Sequence, residues 1–223
     1  MRSRRPPFRF KHNMPSRVHN ARPDSPRRKA TEDFVQQCFK KHYEADICHF
    51  MPNLMSLSDD QDRLQAVLGF RHAGLSPLFL ETYLNHPVEQ MIAARVLQPV
   101  DRSQLVEVGN LSVANPGIIR WLFIALTGYL STTQCEWVLF TIGPVLQHAF
   151  ERLGFQMIDL GEARCERLPE ADRVTWGRYY DQQPRVLAGR LDQGLRTLGA
   201  LCEKEVAIMH LWQNAAAMGR EAA

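Results

Sequence analysis

Apolar positions along this chain follow two patterns, one helical and one nearly continuous. Phe34, Val35, Cys38, Phe39 and Tyr43 fall on one broad face at helical spacing, with His42 expected at the core edge. Thr31-Glu32-Asp33 stands just ahead of them and suits an N-cap and an acidic first turn. A helix from about residue 31 is predicted. "DICHFMPNLMSL" then reads as a strand broken at Pro52, "SDDQDR" as a turn, and "LQAVLGFRHAG" as the second strand of a hairpin. In "SPLFLETYLNHPVEQMIAARVL", Pro87 sets a helix start at Val88. Glu81 reads there as an exposed acid.

The near-continuous runs come next. Leu105, Val106, Val108, Leu111 and Val113 mark a central strand buried on both faces, yet Glu107 lies inside it. A buried carboxylate needs a partner or a purpose. "ANPG" stops the strand, because Pro116 has no N–H for a ladder and Gly117 permits a tight reversal. Ile118–Leu130 is then a helix. "CEWVLFTIG" is a second apolar strand, "PVLQHAFERLGF" a Pro-started helix, and "QMIDLGEA" a further strand. An aromatic-rich loop leads to a last strand near Val186–Leu191. Residues 193–223 read as a C-terminal helix whose stripe (Leu195, Leu198, Leu201, Ile208, Leu211) packs on the body or on a partner, which allows an oligomer. The alternation of strands and helices is α/β (or α+β) in class.

Charge divides the chain. Residues 1–29 hold ten Lys/Arg and a single acid, Asp24, whereas the remainder carries 17 basic and 23 acidic side chains. The first 29 residues are therefore expected to be a disordered basic arm, and residues 30–192 the folded domain. The arm suits solubility, contact with anionic lipid, or an acidic carrier protein. No nucleic-acid partner is expected, since no aromatics interleave with base-reading side chains. The basic start is followed by no apolar signal-peptide core, and Ile118–Leu130 is too short to span a bilayer. Five cysteines without CxxC spacing fit reduced thiols in the cytoplasm, and no metal site is predicted.

A strand, a tight turn and a helix N-terminus in succession expose amides at the positive end of a helix dipole, which is a phosphate cradle in outline. Gly117, Ile118 and Ile119 would supply the amides, and Arg120 a cation or a surface cap.

Element order and local sequence together resemble the GNAT-type N-acyltransferase fold. "HAFERLGFQ" is similar to the helix and strand that end such a core, and "LVEVGNLSV" to its splayed central strand. More narrowly, "GFR", "LFLETYL", "VEVGNLS", "RWLFIAL", "WVLFT", "FERLGF", "WGRYYD" and P-x-V-x-A-G resemble the thermostable hemolysin family, bacterial proteins with a GNAT-like core. The hemolysin name describes an assay phenotype. The same strand is distantly similar to that of acyl-homoserine-lactone synthases, with Glu107 at the family's glutamate but Asn110 where the family has arginine.

The resemblance implies a GNAT-like mixed sheet with a splayed central strand, flanked by helices. It implies an acyltransferase that takes an acyl group from acyl-CoA or an acyl-carrier protein and passes it to a small-molecule amine, for a signal or secondary metabolite. The donor is a substrate, and no tightly bound cofactor is implied. Backbone groups near Leu111 and Val113 would pair with the donor arm or polarise its carbonyl. Glu107 would be the general base, or else a structural glutamate held by strand backbone or by Arg71. Tyr179 or Tyr180 would protonate the leaving thiolate, or else pack over the core. Leu139 and Phe140 would line an acyl tail. The alternatives are a lytic, membrane-acting protein and a GNAT-like core that only binds.

Overall fold

The computed structural model describes residues 15–152, 154–202 and 206–222. Its centre is a seven-stranded mixed sheet in the order β1-β2-β3-β4-β5-β7-β6. The strands are β1 (Arg17–Ala21), β2 (Asn53–Ser58), β3 (Leu64–His72), β4 (Leu105–Val113), β5 (Trp137–Ile142), β6 (Met157–Glu162) and β7 (Arg185–Arg190). The helices are α1 (Arg28–Tyr43), α2 (Val88–Val96), α3 (Ile119–Leu130), α4 (Pro144–Arg152), α5 (Glu170–Arg173), α6 (Leu191–Cys202) and α7 (Val206–Ala222).

All neighbouring strands are antiparallel except β4 and β5. A parallel pair needs a crossover, and α3 supplies it. The strand–helix–strand alternation predicted from sequence is therefore present, but β7 inserts between β5 and β6 and makes the second half of the sheet antiparallel.

Two cores cover the two sheet faces. On one, α3 is buried on every side from Trp121 to Leu130, between the sheet and α7. A helix apolar all round belongs in an interior. On the other, Leu105, Trp137, Leu139, Val186 and Ala188 meet Leu80, Tyr83, Val88 and Ile92. Complete burial of such side chains stabilises by about 1.5–3 kcal/mol each. A third cluster packs α1, through Val35 and Phe39, on Leu54 and Val67.

Several expectations are corrected. The basic arm was expected to run to residue 29. Instead Arg17–Ala21 forms the edge strand β1 on β2, burying Val18 and Ala21, and α1 already starts at Arg28. Residues 1–14 of that arm lie outside the described residues. Thr31 does not cap α1: its hydroxyl donates to the Arg27 carbonyl, one turn back. His42 is exposed. The segment before Pro52 is irregular, and only Asn53–Ser58 is strand. The C-terminal region is two helices, and α7 places Ile208, Leu211, Ala215 and Ala216 in the protein's own core against α3 and β1. Among the described residues no helix is long and apolar enough to cross a membrane.

Candidate functional site

β4 changes character halfway along. From Leu105 to Val108 it pairs with β5, ending at Val108–Phe140. On its other side it stays with β3 as far as Ala66–Val113. β5 continues to Ile142 against β7. Past Val108 and Phe140 the two central strands separate, which is the splay expected from the sequence. The cause is local. Asn110 takes a left-handed conformation (φ 49°), and the β3–β4 register shifts around it. Asn tolerates this backbone better than most residues. Its side chain also ties the preceding segment down, accepting from the Met51 amide at 2.8 Å and donating to the His49 carbonyl at 3.3 Å. Met51 lies directly over Gly69 and Gly109, where a Cβ would come within 2.6 and 2.8 Å of its side chain. Asn110 is thus a bulge former and a clamp.

Glu107 is 2% exposed. Its Oε2 accepts from the Phe79 amide at 2.9 Å and its Oε1 from the Leu80 amide at 2.8 Å, and Arg71 Nε is 3.5 Å away. Both structural partners anticipated for it, backbone and Arg71, are present, although the backbone belongs to the 3₁₀ turn Phe79–Tyr83 rather than to the sheet. The carboxylate therefore closes the orphan N–H groups of that turn. Burial holds its pKa above the usual glutamate range, opposed by Arg71 and the two amides. Arg71 and Phe79 also line an open cleft with Glu32, Cys48, His49 and Asp172. Glu107 does not line that cleft but touches two residues that do, Arg71 and Phe79.

Glu81 is not the exposed acid expected. Arg102 forks onto both of its oxygens at 2.7 Å and reaches Glu89 at 2.8 Å. That pairing holds the Glu81 carboxyl below its ordinary range. Glu81 also accepts from the amides of Leu78 and Val88, so it braces the segment that presents Phe79 and Leu80 to Glu107.

The two tyrosines diverge. Tyr179 donates to the Thr141 carbonyl at 2.9 Å, one residue beyond the last β5 residue paired with β4, so its hydroxyl stands at the gap. Tyr180 is turned away and shares a short hydrogen bond with Tyr83. Burial raises the pKa of all three phenols, which keeps them neutral. Their rings form a cluster with Phe39, Tyr43 and Trp176. Gly177 makes the bend before them (φ 50°), and a Cβ there would meet the Tyr43 carbonyl at 2.3 Å. Packing and a hydrogen bond at the gap coexist in Tyr179. Sequence reasoning missed Tyr83, whose only signal was its place in "LFLETYL".

At the end of β4, Leu111 and Val113 are half-buried on the splayed side and Gly117 is exposed. The turn Pro116–Ile118 uses two of the three expected cradle amides internally. Ile118 donates to the Asn115 carbonyl, and Ile119 donates to that of Pro116. Arg120 is exposed, with its guanidinium 5.4 Å from the Trp121 ring centre. Phe140 and Leu139 were expected to line one tail. They point to opposite faces, Phe140 toward α3 and Leu139 toward the other core.

Over residues 21–195 the sequence matches the family described as thermostable hemolysin, and the chain belongs to that family. No curated protein matches it. Among solved structures it is similar to FeeM, an N-acyl amino acid synthase from uncultured soil microbes (15% identity, 81% of this chain and 94% of that one, TM-score 0.53). It is also similar to the AHL synthase LasI (11%, 83% and 96%, TM-score 0.54) and to TofI in an apo form (8%, 82% and 96%, TM-score 0.52). At such identities the likeness is one of fold, and that fold is the GNAT-like mixed sheet.

Proposed function

We propose that this member of the thermostable hemolysin family is an acyltransferase, moving an acyl group from an acyl-CoA or acyl-carrier-protein thioester to an amine. The observation that carries the reading is the gap between β4 and β5 immediately beyond a buried glutamate on β4. The names of FeeM and LasI, both synthases, support the same reaction class.

In this reading the donor's pantetheine arm lies in the gap and pairs with the unpaired edge of β4 near Leu111 and Val113. Its phosphate meets the exposed turn at Gly117, the start of α3 and Arg120, with the amides of Ile118 and Ile119 contributing through the helix dipole. The acceptor enters by the cleft lined with Arg71 and Phe79. The neutral amine attacks the thioester carbonyl, the C–N bond forms, and the C–S bond breaks. Glu107 takes the amine proton, directly or through water, and its raised pKa suits that work. The thiolate takes a proton from the Tyr179 hydroxyl at the gap as it leaves, and the amine proton accepted by Glu107 returns to Tyr179 through water, so both groups end as they began. Tyr180, held by Tyr83, packs its ring edge-on against Tyr179 and positions it.

The test is mass spectrometry of the full chain incubated with acyl-CoA and acyl-carrier-protein donors and a mixture of primary amines. An N-acyl product with stoichiometric free thiol is expected. No product from any donor, together with lysis of liposomes by the same preparation, would overturn the reading in favour of a membrane-acting protein.

A further inference from the structure

A second cleft, of about 470 Å³, opens at the outer end of β6 and β7, on the sheet face that carries Glu107. That volume is in the range of small-molecule sites. It shares no lining residue with the Arg71 cleft, and the turn Phe79–Tyr83 runs from one to the other, with Phe79 lining the first and Tyr83 the second. A bulge shapes the opening. The register of the edge strand β6 shifts between Asp159 and Gly161, and Gly161 takes φ 142° with nothing within 4 Å of the place a Cβ would occupy. Bulges of this kind re-aim side chains at sheet edges.

Three guanidinium groups line the cleft, those of Arg164, Arg167 and Arg185, against one carboxylate, Glu162. Arg167 Nη2 donates to the Leu84 carbonyl at 2.7 Å and to Asn85 Oδ1 at 2.8 Å. Both acceptors are neutral, so Arg167 is held in place without an ion pair among the described residues. Arg164 Nε donates to Glu162 at 2.7 Å, and Arg185 is paired with Asp159, which does not line the cleft. Even with Asp159 included, one cation is in excess. Arg164 and Arg167 each keep N–H groups that no described residue uses. The remaining wall is largely apolar, with Tyr83, Met91 and Leu160.

A molecule that fits this lining carries an oxyanion for the guanidinium forks and a carbon body for the apolar wall. Phosphate matches it better than carboxylate. A single fork satisfies a carboxylate, whereas a phosphate monoester has a charge close to −2 and three oxygens to meet three arginines. We propose that this cleft binds a small phosphate monoester, at a site separate from the donor gap and the Arg71 cleft. Glu162 opposes that ligand and competes with it for Arg164.

The experiment is calorimetric titration of the full chain with phenyl phosphate, and with inorganic phosphate and benzoate for comparison. Phenyl phosphate is expected to bind with Kd below about 1 mM, and about tenfold tighter than either comparison compound. Arg164→Gln and Arg167→Gln should each weaken it about fivefold, and Glu162→Gln should tighten it about threefold. Arg120→Ala, at the start of α3, should leave it unchanged. Arg164 is exposed and meets only Glu162, so Arg164→Gln tests the site without endangering the fold. No binding of phenyl phosphate, binding unaffected by both arginine variants, loss of binding in Arg120→Ala, or equal affinity for benzoate would each overturn the proposal.

Discussion

The two faces of the sheet solve opposite problems. The α3 face is mostly apolar, with Trp121 and Phe123 of α3 packed among Phe140, Phe150 and their neighbours. The other face accommodates a buried carboxylate, an Arg102–Glu81–Glu89 network and the linked phenols of Tyr83 and Tyr180. β4 contributes to both, with Val106 and Val108 on the first and Glu107 on the second. The lesson is a division of labour. One face supplies an apolar wall, the other holds the buried polar groups, and the strands between them part at Asn110.

The largest effect should come from breaking the apolar wall. Phe123→Ala is expected to destabilise by about 4 kcal/mol, measured by denaturant titration, because its neighbours cannot collapse into the space. An equal-sized loss from an aromatic on the polar face, such as Phe79, would weaken the contrast between the faces.

Arg102→Met tests the polar face. It leaves Glu81 and Glu89 without their cation and should cost about 2 kcal/mol, between the values for surface and buried pairs. The Glu81 pKa is lowered in the folded state, chiefly by hydrogen bonds from Arg102. Its contribution is therefore present above the ordinary glutamate pKa and is lost as pH falls through the lowered value. Thermal melts from pH 7 to pH 3 should show that acid-side loss in wild type and less of it in Arg102→Met.

Asn110→Ala sharpens the junction. It removes two side-chain hydrogen bonds and puts alanine at a positive φ, with an expected cost of about 1 kcal/mol. Hydrogen exchange should increase in residues 45–52 more than in β5. The smallest effect belongs to Arg120→Ala, whose stability should stay within about 0.5 kcal/mol of wild type. Donor KM should rise about threefold if this cation meets the donor phosphate.

Legibility in the sequence followed the same division. β4, α3 and β5 were readable because their apolar runs are long and local, and Glu107 was readable because it interrupts one of them. β1 was not. In "RVHNA" only Val18 and Ala21 are buried, and the strand exists through pairing with residues 54–58, far along the chain. The Glu81–Arg102 pair joins two surface-like residues without periodicity. Asn110 was recognised as a departure from a family pattern, but its left-handed bulge follows from three-dimensional register. The insertion of β7 between β5 and β6 is likewise non-local.

In the proposed reaction Glu107 works as a base as well as a brace. The direct measurement is the pH dependence of thiol release for wild type and Glu107→Gln, with folding of the variant verified by its melt. Gln presents a donor to one of the two turn amides, so some loss of stability is expected. Wild-type kcat/KM should rise with pH through an inflection above the ordinary glutamate range, in line with the raised pKa of the buried carboxyl. The folded Glu107→Gln protein should lose at least about a hundredfold in rate and lack that inflection. A folded Glu107→Gln protein with the full rate and the same inflection would exclude Glu107 as the base and leave it as a brace alone.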